Sequence, residues 1–384
     1  MKELVYHSLK QVEQWVEKNG YKGYEPFDGL SSVLRPLTFG NLFLDRLLMQ
    51  VNRQSPLNLR PLLGIRRLES TIGRGYMALG YLSLFRVSMD TETKEKAIDC
   101  LDWLMENKSP QYEEFSWGKH FDFASRAGRY PKFEPITIWT ALIGQAFLEA
   151  YEVLSMPKYL EVADSVSRWL TTIPRYEMDV GVCLSYTGSG GFTTIHNHSM
   201  VGAAVLARTA KHTYNTAYLE LAAKAMRFSC SRQRPDGGWY YGEEEKFHWI
   251  DSFHTGYNLD ALKCYIENSG DTAFEPNMRT GLTFYMDHFF EGSGRPKYYH
   301  DKTYPVDSQC AAQAIDTLAN FSDVDHGSMD LSMRVARWWI DHMQDKEGYF
   351  YYRQYPIGVT ARTPMLHWAQ AVSYKGLALL YSKL

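Results

Sequence analysis

Cysteine is scarce and unpatterned in this sequence. The five cysteines, at positions 100, 183, 230, 264 and 310, are odd in number and form no C-x-x-C pair. That argues against a disulfide framework or a structural zinc site as the organising element. Cys100, Cys230 and Cys264 fall in helix-like runs, where a thiol reads as a small apolar filler. Charge of one sign is also missing: 41 Lys and Arg stand against 44 Asp and Glu, a net −3. Bulk electrostatics therefore give no reason to expect a nucleic-acid partner. No stretch approaches the roughly 18 consecutive apolar residues of a membrane span. The opening MKELVYHSLKQVEQWVEKNG has no unbroken apolar core followed by a cleavage site. A soluble, cytoplasmic chain without an integral membrane segment is expected. Aromatics, by contrast, reach 15%, with 27 Tyr, and many lie outside helix-like runs, where packing alone does not call for them.

Six runs are rich in Ala, Gly and aliphatics and poor in charge on most faces. They cover residues 71–88, 135–154, 197–213, 251–270, 307–322 and 364–384. Helices buried on nearly all sides have this composition. Their starts recur every 54 to 64 residues or so, roughly the spacing of a helical repeat array. Amphipathic runs alternate with them at 94–108, 159–173, 218–233, 274–290 and 331–344. Leu219, Ala222, Ala223, Met226 and Cys230 step by three and four, while Glu220, Lys224, Arg227 and Ser231 keep the same step opposite. A sixth such run near 37–53 is expected to supply the remaining outer helix. Six inner and six outer helices make a closed all-α ring, an (α/α)6 toroid. An open solenoid would need polar end-caps, and none is evident. The chain reads as one toroid domain over 1–384, with 1–35 as a leading segment.

The outer-to-inner connectors hold the chemistry-bearing residues: 109–135, 175–199, 234–251, 292–307 and 346–364. All precede inner helices, so they are expected to gather around one mouth. Short aromatic strands such as WYY, KYY and YFYY fit small β-hairpins there. "GSGG" (188–191) lacks the Lys-Ser/Thr of a phosphate loop and reads as a turn, and "EEE" (243–245) as a solvated tip. On the plainer reading, rings such as Trp239 and Tyr241 pack between helix layers. On the sharper one, Trp117, Tyr240, Tyr241, Tyr299, Tyr352 and Trp368 offer stacking faces to pyranose rings, which share their mixed apolar and polar surface.

"QRPDGGW" (233–239) resembles the Q-x3-G-x-W motif of the terpene-cyclase and prenyltransferase toroids, and "QDKEGYF" (344–350) is a Phe-for-Trp version. In that family the motif is architectural, its Gln and ring tying an outer helix to the next inner one. The cyclase DxDD acid and the prenyltransferase zinc ligands are missing, so that chemistry does not follow. "WIDSFHTGYNLDALKCY", "RPKYYHDKTYPVDSQCAAQAI" and "MLHWAQAVSYKGLALL" resemble toroid proteins of bacterial and archaeal exopolysaccharide and surface-glycan loci. This resemblance implies surface-polysaccharide biosynthesis, an oligo- or polysaccharide substrate, and association with a glycan-assembly complex. The C-terminal α/α domain of uronyl C5-epimerases and the six-hairpin glycosidases share the plan with weaker residue matches.

Free N–H groups at helix N-termini favour anions such as uronate carboxylates. Around that end the sequence puts Asp122, Arg126, Arg129, Glu134, His196, Asn197, His198, Asp251, His254, Asp307, Gln309, Arg353, Arg362 and His367. Asp251 and Asp307 also stand where N-caps stand, and a cap can still titrate. His198, His254 and His367 open three different inner helices, but no HExxH-type pair exists, and no metal or cofactor is expected. Proton abstraction beside a uronate needs a base, an acid and a neutralising cation or donor. His196, His198, His254 and Tyr257 are the acid/base candidates, with Arg and Asn as neutralisers. Hydrolysis needs two opposed carboxylates, for which Asp122 with Asp251 or Asp307 are the candidates. Epimerase, lyase and hydrolase chemistry on a uronate-containing glycan therefore all stay open. A prenyl- or terpene-handling enzyme and a non-catalytic glycan-binding protein are the alternatives.

Overall fold

The apolar repeat closes on itself in space. A computed structural model describes residues 1–125, 128–190 and 194–384. In chain order the helices are α1 (Lys2–Lys18), α2 (Leu42–Gln54), α3 (Thr71–Ser88), α4 (Thr91–Glu106), α5 (Thr137–Leu154) and α6 (Pro157–Thr172). They continue as α7 (His196–Thr213), α8 (Thr216–Cys230), α9 (Ser252–Ser269), α10 (Glu275–His288), α11 (Ser308–Asn320), α12 (His326–Met343) and α13 (Val372–Lys383). A π-helical segment, Leu366–Ala371, leads straight into α13. Helices α3, α5, α7, α9, α11 and α13 stand side by side in that order, and α13 packs back onto α3. Each carries one outer helix: α4, α6, α8, α10, α12 and, for α13, α1.

The sixth outer helix is therefore α1, and not the 37–53 run. The reason lies in the stripes. Val5, Leu9, Val12 and Val16 recur at helical steps and are fully buried. The buried residues of α2 are Asp45, Met49 and Asn52, too polar for an outer-ring position. Instead α2 lies across the mouth, against two short 3-10 turns (Asp28–Ser31 and Arg35–Thr38) and a connector hairpin.

The Q-x3-G-x-W motif shows how successive outer helices are joined. Just past α8, Gln233 Nε2 donates to the Gly237 carbonyl (2.8 Å) and to the Asn277 carbonyl in α10 (2.9 Å). Trp239 Nε1 donates back to Ser229 O (2.9 Å), and its ring lies against Gly281 of α10. At the end of α12, Gln344 Nε2 repeats the pattern on Gly348 O (2.9 Å) and on Ser8 O of α1 (3.1 Å). The motif thus links outer helix to outer helix, where the resemblance implied outer to inner.

Among the described residues, three small antiparallel sheets occupy connectors. β1 (Phe123–Ser125) pairs with β2 (Gly128–Tyr130), and β3 (Arg175–Met178) with β4 (Gly181–Leu184). β5 (Val306–Asp307), β6 (Arg353–Gln354) and β7 (Thr360–Ala361) form the third, with Asp307 opposite Arg353. The WYY and KYY runs at 239–241 and 297–299 do not form hairpins. Their backbone groups go elsewhere: Tyr241 N donates to Trp249 O (2.8 Å), and Tyr241 O accepts from His196 N (3.2 Å). The β3–β4 hairpin departs from the expected gathering too, running along α8 with β3 exposed.

Gly348 has φ +96°, and a Cβ there would stand 2.6 Å from the Gln11 carbonyl of α1. Gly348→Ala is expected to cost about 2 kcal/mol or more, because strain and a backbone clash both fall on the closing joint. Urea unfolding measures it, and a loss below about 0.5 kcal/mol would remove this joint from the closure argument.

Candidate functional site

A cavity of about 670 Å³ opens at the N-terminal end of the inner helices. Its floor is polar: the Tyr257 hydroxyl meets the Tyr76 hydroxyl at 2.6 Å and accepts from Gln309 Nε2 at 2.7 Å. Burial holds the Tyr257 phenol well above its usual range, so it is a neutral donor and not a ready base. Aromatic side chains form the walls, among them Trp139, Tyr241, Trp249, Phe253, Tyr298 and Trp368. Arg46, Gln50, Arg53 and Gln54 of α2 line the side that faces the mouth.

His254 sits in the first turn of α9. The preceding Asp251 is the N-cap, its Oδ1 accepting from His254 N at 3.0 Å. Its Oδ2 lies 2.7 Å from His254 Nδ1 and also accepts from Trp249 Nε1 at 2.9 Å. One buried carboxylate therefore caps the helix and aims the imidazole. A carboxylate only accepts, so the proton belongs on Nδ1 and the lone pair on Nε2. Among the described residues, Nε2 has no partner of its own.

His367 repeats this arrangement with a carboxylate from far away in sequence. The buried Glu25 carboxylate pairs with His367 Nδ1, and Glu25 Oε1 accepts from His367 N at 3.4 Å. Residues 23–25 cross the start of the last inner run, where Leu366 N donates to Tyr24 O (2.9 Å). Asp28 and Arg60 lock this strap: Arg60 Nε spans both Asp28 oxygens (3.0 and 2.9 Å), and Nη2 donates to Glu25 O (2.9 Å). His367 and Trp368 lie in the π-helical segment, a geometry often found at working sites.

Three cations, Arg46, Arg53 and Lys119, face the cavity without an ion pair among the described residues. Lys119 is buried, 3.7 Å from the centre of the Phe123 ring and 4.4 Å from that of Phe27. Burial pulls its ammonium down to about 7, Glu25 opposing and Arg53 adding to the shift. Arg53 lies over Phe27 at 4.7 Å, and its buried Nε has no hydrogen-bond partner. Arg353, by contrast, is matched: it pairs with Asp307 and donates to Gln54 Oε1 at 3.3 Å. Asp251 is the only carboxylate on the cavity wall among the described residues.

Of the residues singled out in the sequence, the cavity gathers Asn197, Tyr241, Asp251, His254, Tyr257, Tyr299, Gln309, Arg353, His367 and Trp368. The others are held elsewhere. His196 is buried between Ser229 Oγ (3.2 Å) and Glu243 Oε1 (3.0 Å). His198 donates from Nε2 to Leu184 O (2.7 Å), and burial lowers it to about 4. Asp122 accepts from Lys132 N and pairs with Arg35 (2.8 and 2.5 Å). Asp307 lies beneath the wall, capping α11 at Gln309 N (2.9 Å) and accepting from Trp368 Nε1 (2.8 Å). Trp117 is core, its Nε1 on Leu104 O (2.9 Å), and Arg129 pairs with Asp45 (2.6 Å). Tyr240 stacks on His248 and accepts from Arg234 (2.6 Å). Tyr352 is buried against Arg353, and Arg362 covers Tyr351. Arg126 lies outside the described residues.

Sequence reading missed Lys119, Arg53 and Glu25. Lys119 interrupts the aromatic run FSWGKHFDF, and a lone cation among rings was the available signal. Glu25 had none, since only the tertiary strap brings it to His367.

Chemically, the cavity offers two aimed imidazoles, three cations without an ion pair among the described residues, and apolar ring faces. No protein-family model matches the sequence, and no curated protein does. The fold does match solved structures. A cellobiose 2-epimerase from Bacillus thermoamylovorans is 12% identical, with TM-score 0.64 over 82% of this chain and 87% of that one. A D-mannose isomerase is 11% identical, with TM-score 0.60 over 82% of this chain and 86% of that one. A GH76 α-mannanase from Bacteroides thetaiotaomicron is 13% identical, with TM-score 0.60 over 81% of this chain and 86% of that one. At such identities the likeness establishes a shared α/α-toroid fold.

Proposed function

We propose that this chain, acting as a single toroid unit, is a carbohydrate-active epimerase. It inverts a sugar carbon next to a carboxylate, with a uronate residue of a glycan as substrate. The observation that carries the reading is the matched pair of histidines, each with Nδ1 fixed on a buried carboxylate. One imidazole takes the C5 proton into its Nε2 lone pair, and the bonding electrons move into the uronate carboxylate. The other, protonated on Nε2, returns a proton to the opposite face. No heteroatom bond breaks and no oxidant is consumed. Arg53 and Lys119 supply positive charge where the enediolate's second negative charge develops.

Three observations support this choice. Hydrolysis by paired carboxylates needs a second acid across the cavity, and Asp251 already has both oxygens engaged. Elimination would share the proton abstraction and add loss of the 4-substituent, so product analysis separates the two. The solved toroids similar in fold include a cellobiose 2-epimerase, a ruminal sugar epimerase and a D-mannose isomerase, in keeping with proton transfer at a sugar carbon. The residue likeness to toroid proteins of surface-glycan loci favours a polysaccharide pathway as the setting.

With uronate-containing oligosaccharides in deuterated water, NMR is expected to show label at C5 without cleavage. His254→Asn and His367→Asn should each slow epimerisation by about 10²- to 10⁴-fold. Each variant should still exchange the C5 proton of one epimer only, and of opposite epimers. Absence of label with the unaltered protein would sink the uronate reading. A second expectation concerns pH. Lys119 loses its charge above about 7, so affinity for glucuronate should fall as pH rises from 6 to 9. Calorimetry would show that fall in the unaltered protein, and in Lys119→Met a weaker affinity without that step.

A further inference from the structure

The segment from residue 31 to 68 combines two features that do not belong on an ordinary surface. It holds six arginines, at 35, 46, 53, 60, 66 and 67, against a single acid, Asp45. Arg60 is buried on Asp28 and Arg35 pairs with Asp122, which leaves Arg46, Arg53, Arg66 and Arg67 without an ion pair among the described residues. Asp45 is buried and paired with Arg129, so no carboxylate of the segment reaches the surface. The segment also exposes large apolar side chains: Phe39 is 87% exposed, Leu62 82%, Phe43 69% and Val33 67%.

These features form one collar. Phe43, Leu47 and Val51 step by four along α2 and are all exposed, while the opposite face carries Asp45, Met49 and Asn52 inward. The apolar stripe of α2 thus faces away from its own protein, the reverse of a surface helix serving its core. Phe39 stands just ahead of the helix. Val33 N donates to Leu63 O at 3.0 Å, joining the stretch before α2 to the one that carries Leu62, Arg66 and Arg67. Arg66 and Arg67 are exposed beside it.

We infer that this collar docks the protein on an anionic lipid surface. An amphipathic helix lying in the membrane interface needs an outward apolar face flanked by cations, and binding then rests on apolar insertion plus attraction to acidic headgroups. The charge argues for lipid over a second copy of this chain, because a two-fold contact would set two positive collars against each other. Gln50 and Arg53, on the same helix, line the cavity, so docking brings the mouth to the membrane and to glycans presented there. This inference stands apart from the proposed chemistry and can hold or fail without it.

Vesicle co-sedimentation tests it. The full chain is expected to pellet with phosphatidylcholine vesicles containing about 30% phosphatidylglycerol, and far less with phosphatidylcholine alone. Added salt should weaken the binding. Phe39→Ser/Phe43→Ser/Leu62→Ser changes only exposed positions and should reduce binding at least about tenfold with an unchanged circular dichroism spectrum. Arg66→Gln/Arg67→Gln should reduce the preference for anionic vesicles. No pelleting with either vesicle would overturn the inference. So would light scattering that shows a dimer of the unaltered protein, split to monomers by the triple substitution.

Discussion

Gln344 reaches from the end of α12 to the Ser8 carbonyl of α1, a contact between residues 336 positions apart. Around it, α1 covers the outer side of α13, and α13 fills the gap between α11 and α3. A toroid with one helix missing would expose the apolar flanks of two inner helices to water. Closure also sets the direction of the site. Because inner helices run parallel to one another, all their N-termini arrive at one end, and the mouth inherits their caps and free N–H groups.

The two histidines show how that geometry aims side chains into the mouth. Asp251 reaches His254 from the residue before its helix, a local device that N-capping supplies readily. Glu25 reaches His367 from the strap before the ring, held in turn by Asp28 and Arg60. Burying the charges of Asp251, Glu25, Asp28 and Arg60 is unfavourable unless each has a partner, and here each has one. Lys119 and Arg53 depart from that rule. They stay among rings with no carboxylate in an ion pair among the described residues.

Much of the ring was legible in the sequence because burial on all sides leaves a compositional trace. The six Ala- and Gly-rich runs coincide with α3, α5, α7, α9, α11 and the last inner run, and Asp251 and Asp307 cap the helices they precede. The assignment of 37–53 to the outer ring failed for an instructive reason. Periodicity reports that a helix has an apolar face, but not whether that face meets the protein's own core. In the mouth, His254 was legible from its place after a cap. His196 and His198 share the same helix start yet point to Ser229, Glu243 and Leu184, because residues two apart on a helix project to different sides and meet different tertiary neighbours. Glu25 and Arg53 come from segments whose position only tertiary packing decides.

That α1 takes the final outer position has a further consequence for how the chain comes together. It leaves the ribosome long before the helix it must cover, so its stripe of Val5, Leu9, Val12 and Val16 waits without a partner during synthesis. The contacts that join it to α13 are among the most distant in sequence, and such contacts are slow to form. Assembly of the ring therefore has a late step in which head and tail meet. Until that step Glu25 and His367 are strangers, and the basin exists without its second carboxylate-bound imidazole.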